Sequence, residues 1–141
     1  MIHEARGRLS VVVVVSVTLV ASCASQLTPT EANLRASFVD QIASVDAVSG
    51  VVVRDEGFEF VHPNTDGVRI AWRVAFRTVT LMPPRSTEGV YQGEVESTWY
   101  ADGEVVEPLG SMSRLPNEFL EAGIAQQCYA IWFEEEQRWD W

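Results

Sequence analysis

Residues 68–77 alternate without a break: Val68, Ile70, Trp72, Val74 and Phe76 take one parity, and Arg69, Ala71, Arg73, Ala75 and Arg77 take the other. A period of two over this length describes a strand with one core face and one solvated face, here carrying a row of arginines. Whatever the rest of the chain does, it must supply an apolar cover for that single face.

A second strand is written after Gly89, with Tyr91, Val95 and Trp99 on one side and Gln92, Glu94 and Glu96 on the other. Matching core face to core face places Arg69, Arg73 and Arg77 on the same side as Glu94 and Glu96. A register that opposes Arg77 to Glu94 and Trp72 to Trp99 satisfies both faces. Val51, Val52 and Val53, then Phe58, Phe60 and Val61, add β texture broken at Asp55-Glu56-Gly57, which is read either as a tight turn or as a bulge. His62-Pro63-Asn64-Thr65-Asp66-Gly67 is a turn, and Asp102-Gly103 predicts a type I′ hairpin into Val105 and Val106.

The apolar cover comes from the N-terminal side. Leu34, Phe38, Ile42 and Val45 recur at helical spacing, and Thr28-Pro29-Thr30-Glu31 reads as a capping box with Pro29 at the first helical position and Glu31 at the third. Pro108, Gly110 and Pro116 punctuate a loop before a short amphipathic stretch, residues 117–122, that ends at Gly123. Residues 127–133 fit two patterns. As a strand they set Cys128, Ala130 and Trp132 opposite Tyr129, Ile131 and Phe133; as a helix they place Leu120, Ile124, Cys128 and Trp132 on one face. Aromatic content favours a strand that hairpins through residues 134–137 into residues 138–141. The fold class expected is α+β: an antiparallel β-meander of four to six strands, an N-terminal helix on one face and a short C-terminal helix. In element order alone this resembles cystatin-like or NTF2-like domains, with a ferredoxin-like sandwich as competitor.

Residues 1–22 lie outside that domain. Arg6 and Arg8 precede residues 9–21, which are almost wholly Val, Leu, Ser and Thr. As a helix this core spans roughly 20 Å, short of the ~30 Å hydrocarbon layer, so it reads as a secretory signal rather than a membrane span. Val20-Ala21-Ser22-Cys23 then resembles the lipobox of bacterial lipoproteins. The resemblance implies a signal peptide over residues 1–22, an acylated Cys23 with a short tether over residues 23–27, and a single domain over residues 28–141. It also implies an extracytoplasmic, lipid-anchored location, with Ala24 at the sorting position and the outer membrane as destination if the host has one. The four tether residues reach at most ~14 Å, which holds the domain near the headgroups and its partners at the membrane. Acylation of Cys23 leaves Cys128 as the last thiol, with no intramolecular disulfide.

The chain carries a formal net charge of −10. An acidic surface with no basic run repels phosphate backbones, so nucleic acid is not expected as a partner. The sequence contains no Lys, which excludes Schiff-base and Walker-type chemistry. His62 reads as a turn residue before Pro63, Cys128 as a buried small hydrophobe, and no local motif joins them as a dyad. The loop from His62 echoes the start of an EF-hand, but position one is His62 and the closing acid falls on Arg73. Asp55, Glu56 and Glu59, like Asp102, Glu104 and Glu107, read as solvated turns; Ser111 and Ser113 show no nucleophile elbow. No catalytic residue, metal or cofactor is therefore assigned.

The candidate binding residues are Arg69, Arg73 and Arg77, together with Trp139 and Trp141. The arginines are read as a cross-strand charge ladder, or, where the glutamates leave them unpaired, as a recognition face for an acidic group. The tryptophans either dock on the domain's own core or form a platform for a partner. The functional expectation is a non-enzymatic envelope module that binds another envelope protein. The alternatives are a small-ligand carrier with a cavity lined by Phe38, Trp72, Phe76 and Trp99, or a carboxylate-based surface hydrolase.

Overall fold

The computed structural model describes residues 27–141, so the expected signal peptide, the lipobox-like residues 20–23 and the expected acylation at Cys23 lie outside the described residues. A helix α1 (Glu31–Ala43) precedes strands β1 (Ser49–Arg54), β2 (Gly57–Pro63), β3 (Arg69–Met82), β4 (Gln92–Ala101) and β5 (Glu104–Val105). A short helix α2 (Asn117–Glu121) and strands β6 (Gln127–Phe133) and β7 (Arg138–Asp140) complete the domain. The fold is α+β. All strand pairs are antiparallel, in the order β1-β2-β3-β4-β6-β7, with the two-residue β5 off this path beside β4.

The helix starts two residues later than its first capping signal. Thr30, not Thr28, is the N-cap: its Oγ1 accepts from Asn33 N at 3.1 Å, and Asn33 Oδ1 accepts from Thr30 N at 2.9 Å. Asn33 also donates through Nδ2 to Thr28 O at 2.7 Å, so one side chain closes the box and ties down the preceding turn. The stripe runs as its spacing requires, with Leu34, Phe38, Ile42 and Val45 all buried. Leu34 rests on Gly93 of β4, where a Cβ would come within 2.6 Å of the leucine methyl.

Aromatic rings fill the space beneath the helix. Phe38 meets Phe58, Phe76 and Trp141 edge-on at 5.2–6.1 Å, and Trp99 meets Phe60, Trp72 and Phe119 at 5.3–5.9 Å. Phe38, Trp72 and Trp99, three of the four residues that the carrier alternative set around a cavity, pack against one another's neighbours here, and Phe76 walls an open trough beside the helix. Asp55 and Glu56 form a tight turn between β1 and β2, and Asp102 and Gly103 both take positive φ, at 49° and 84°, as a type I′ turn demands. Residues 127–141 form the β6–β7 hairpin, with Cys128, Ala130 and Trp132 inward.

The β3–β4 register departs from the one expected. Trp72 opposes Ala101, Val74 opposes Trp99 and Thr80 opposes Glu94. Faces are preserved between Trp72 and Trp99, whose rings still meet, but the strands are offset by two residues. Asp102 sets the offset: its N donates to Ala71 O at 2.8 Å and its Oδ1 accepts from Ala71 N at 3.0 Å, carrying the ladder one step past Ala101. Beyond Phe76 the register shifts again at Arg77, and this bulge turns Val79 and Leu81 inward on the odd parity.

Candidate functional site

The outer, solvent-facing side of the sheet carries the arginines, and the register decides their partners. Arg73 lies between Glu59 of β2 and Tyr100 of β4. Its guanidinium stacks over the Tyr100 ring at 3.7 Å, while Glu59 pairs with Arg54 at 3.3 Å. Arg69 reaches the Ser49 hydroxyl at 3.5 Å, and Arg77 is exposed at the bulge. Among the described residues none of the three forms an ion pair. The expected Arg–Glu ladder is therefore corrected: the offset and the bulge put Thr78 and Thr80 opposite Glu96 and Glu94, and Glu94 accepts from Gln127 Nε2 at 2.7 Å instead.

Beside Arg77 the sheet opens. The inner half of β4 pairs with β6 and its far end with β5, so one edge of β4 is shared by two strands that do not meet. The junction between them is a cleft of about 560 Å³ bounded by Arg77, Glu96, Ser111, Ser113, Gln127 and Tyr129. Gln126 builds its floor. This buried amide donates to Val106 O and accepts from Ser113 Oγ at 3.1 Å, holding the 106–113 loop against the start of β6. Buried amides are as a rule hydrogen-bonded on both ends, and Gln126 is. From the cleft mouth a row of large apolar side chains runs along the outer face of β6: Tyr129, Ile131 and Phe133 are 57%, 44% and 42% exposed. Glu94 and Asp140 flank this row as cross-strand partners of Tyr129 and Ile131.

The C-terminal tryptophans are elsewhere. Trp139 is buried and donates Nε1 to Asn33 Oδ1 at 2.9 Å; Trp141 donates Nε1 to Ser37 Oγ at 3.0 Å and meets Phe38 edge-on. Of the two readings of these indoles the structure takes docking on the chain's own helix, which leaves no free platform. Neither Gln126 nor the cleft was visible as a site in the sequence, although the strand reading had already set Tyr129, Ile131 and Phe133 on one face, without deciding that it was the outer one.

His62 points into the core, its ring 4.9 Å from Phe119, with Nδ1 buried and without a hydrogen-bond partner. Cys128 lies on β6 and His62 on β2, with β3 and β4 between them, roughly 14 Å at the usual strand spacing, so they form no dyad. Among the described residues no three His, Cys, Asp or Glu side chains cluster as metal ligands, and Asp102 serves the β3 backbone instead. Among the described residues no helix is long and apolar enough to cross a membrane.

Burial pushes the Cys128 thiol up to about 11; a hydrogen bond from the Ala125 backbone opposes the shift and the nearby Glu94 charge adds to it. The protonated thiol is a poor nucleophile, so mass mapping is expected to find Cys128 unlabelled by a thiol reagent at pH 8 until urea unfolds the chain. Folding stability is retained below about pH 9, where folded and unfolded thiols are both protonated. Between pH 9 and 11 only the unfolded thiol loses its proton, and stability falls by on the order of 3 kcal/mol. Cys128→Ala is expected to flatten that part of the pH profile; an unchanged slope would place the alkaline sensitivity in other groups.

Compared with models of protein families, with curated proteins and with solved structures, the chain finds no match in any of the three.

Proposed function

We propose that the chain is a lipid-anchored, extracytoplasmic interaction module that docks another envelope protein on the outer face of its sheet. The observation that carries this reading is the apolar row of Tyr129, Ile131 and Phe133, contiguous with the Arg77 cleft. The outer face of a one-sided sheet is ordinarily polar, and three large apolar side chains in file, flanked by Glu94 and Asp140 and by Arg138 over the Phe133 ring, have the composition of a binding patch. Arg77 borders it as a charge without a carboxylate partner, available to an acidic group of the partner, while Arg69 and Arg73 lie at the far end of β3, away from the row. The module acts by binding rather than turnover, a reading supported by the placement of His62 and Cys128 in the core. Acylation at Cys23 would hold it at the membrane, in the outer membrane of a host that has one.

The test is crosslinking and pull-down from the protein's own membranes, with mass spectrometry of the N-terminal peptide reporting acylation of Cys23. Wild type is compared with Ile131→Glu and Arg77→Glu, both at exposed positions that leave the core untouched. Truncation before Trp139 is unsuitable, because it removes core contacts with α1. One envelope protein enriched with wild type and reduced at least tenfold with Ile131→Glu is the expected result. Enrichment indifferent to both substitutions, or none at all, overturns the reading.

A further inference from the structure

A second surface lies on the opposite side of the sheet. Helix α1 leans toward β3 and β7, so its cover stops short of β1. Val53 opposes Phe58 across the β1–β2 ladder and so takes the core parity, yet it is 66% exposed. Between this uncovered strand and the flank of α1 runs a trough of about 720 Å³. Its walls are Ala32, Ala36 and Val39 on the helix, Val53 on β1 and the ring of Phe76, over which Arg35 sits at 5.2 Å.

The strand beside the trough is an edge. Among the described residues β1 pairs with β2 alone, so alternate N–H and C=O groups along its other side have no partner. The bulge between Ser49 and Val52 blunts the beginning of this edge, but the register from Val52 to Arg54 is regular. Over the three regular residues, Val52 to Arg54, alternation turns the backbone groups of at most two residues to this free side, and free donors and acceptors beside an apolar trough have the chemistry of one kind of occupant, an extended polypeptide. We infer that an extended segment of the partner protein, with alternate aliphatic side chains and net positive charge, adds to β1 as a further strand and seats its apolar side chains in the trough against α1. This rests on the interaction-module reading and gives it a binding mode.

Charge selects the occupant. Glu31 and Asp40 line the trough together with Arg35 and Arg54; Arg54 is paired with Glu59 and Arg35 sits over Phe76, so with Glu59 counted the rim carries a surplus of one negative charge, in the same sense as the chain's net −10, and a basic strand gains where an acidic one is repelled. A second copy of this chain, at −10 formal charge and without Lys, brings like charge to the same edge. The short helical side chains Ala32 and Ala36 leave the room that aliphatic side chains need, and filling that room blocks the site without touching the core, since both are exposed.

The experiment uses the ¹⁵N-labelled full chain in detergent micelles and an acetylated, amidated octapeptide of alternating lysine and valine. Saturable binding is expected, with hydrogen-exchange protection appearing at the amides of β1 and shifts at Ala36, Val39 and Phe76. Ala36→Trp, or a peptide N-methylated at alternate amides, is expected to weaken binding at least tenfold; circular dichroism verifies the variant's fold. Binding that survives both changes, or no protection of β1 with the peptide at millimolar concentration, overturns the proposal. Protection before any peptide is added, or a dimer in sedimentation, gives the edge to the chain's own residues or a second copy and also overturns it. Failure here, with Ile131→Glu still abolishing pull-down, refutes strand addition and leaves the module reading standing; the reverse pattern refutes that reading alone.

Discussion

Trp99→Ala is expected to cost about 3–5 kcal/mol of folding stability, most of what a domain of this size has. Trp99 is fully buried on β4, and its ring meets Phe60 of β2, Trp72 of β3 and Phe119 of α2, each edge-on, so one side chain joins three strands and the second helix. Removing it leaves a cavity walled by other aromatic rings, which are stiff and held in place by their own neighbours, so the site collapses poorly. The indole also donates Nε1 to Ser97 Oγ at 3.0 Å, and Ser97 is itself buried. Trp99→Phe keeps most of the ring but strands that hydroxyl, and about 1–3 kcal/mol is expected for it. Urea unfolding followed by far-ultraviolet circular dichroism measures both. A loss below about 1 kcal/mol for the alanine variant would mean that the core refills the space, which the ring geometry argues against.

The same ring shows what a one-dimensional pattern reveals and what it hides. Parity places Trp72, Val74 and Trp99 on the core face, and the helical stripe places Leu34, Phe38, Ile42 and Val45 against them; all seven are buried. Burial follows from local period, which the order of side chains preserves. Offset does not. The slide of β3 against β4 depends on Asp102 hydrogen-bonding Ala71 and on an extra residue at Arg77, and both are invisible to periodicity because either register keeps the faces correct. That offset is what dissolved the arginine ladder. The cap moved for a related reason, since Thr28 and Thr30 each begin a capping pattern and the choice falls to Asn33, whose amide satisfies both neighbours at once. The cleft had no sequence signal of its own. It exists because β4 is longer than either partner on its far edge, so β5 and β6 share that edge and leave a gap for Gln126 to bridge.

Gly57→Ala is expected to destabilise the domain by about 3 kcal/mol or more, at or beyond the upper end for overpacking. Gly57 opens β2 immediately after the tight turn, opposite Ala75. A Cβ added there would fall on the carbonyl oxygen of Val74, with the carbonyl carbon at 2.9 Å and the Ala75 Cα at 3.1 Å. Those are backbone atoms of the neighbouring strand, so no rotamer change relieves the clash; the strands themselves must part. They are held together there by Phe76 N donating to Glu56 O at 2.9 Å, and by Val74 and Phe58, which are both buried. Gly57 does not owe its place to a left-handed backbone, as its φ is not positive. Gly67 supplies the contrast: its φ of +78° favours glycine, but a Cβ there meets nothing within 4 Å. Gly67→Ala is therefore expected to cost only the ~1–2 kcal/mol of a left-handed residue. If the two alanine variants unfold at the same urea concentration, the close approach at Gly57 is not what fixes the hairpin. If Gly57→Ala falls well below Gly67→Ala, contact between backbones sets the position of the β1–β2 tip.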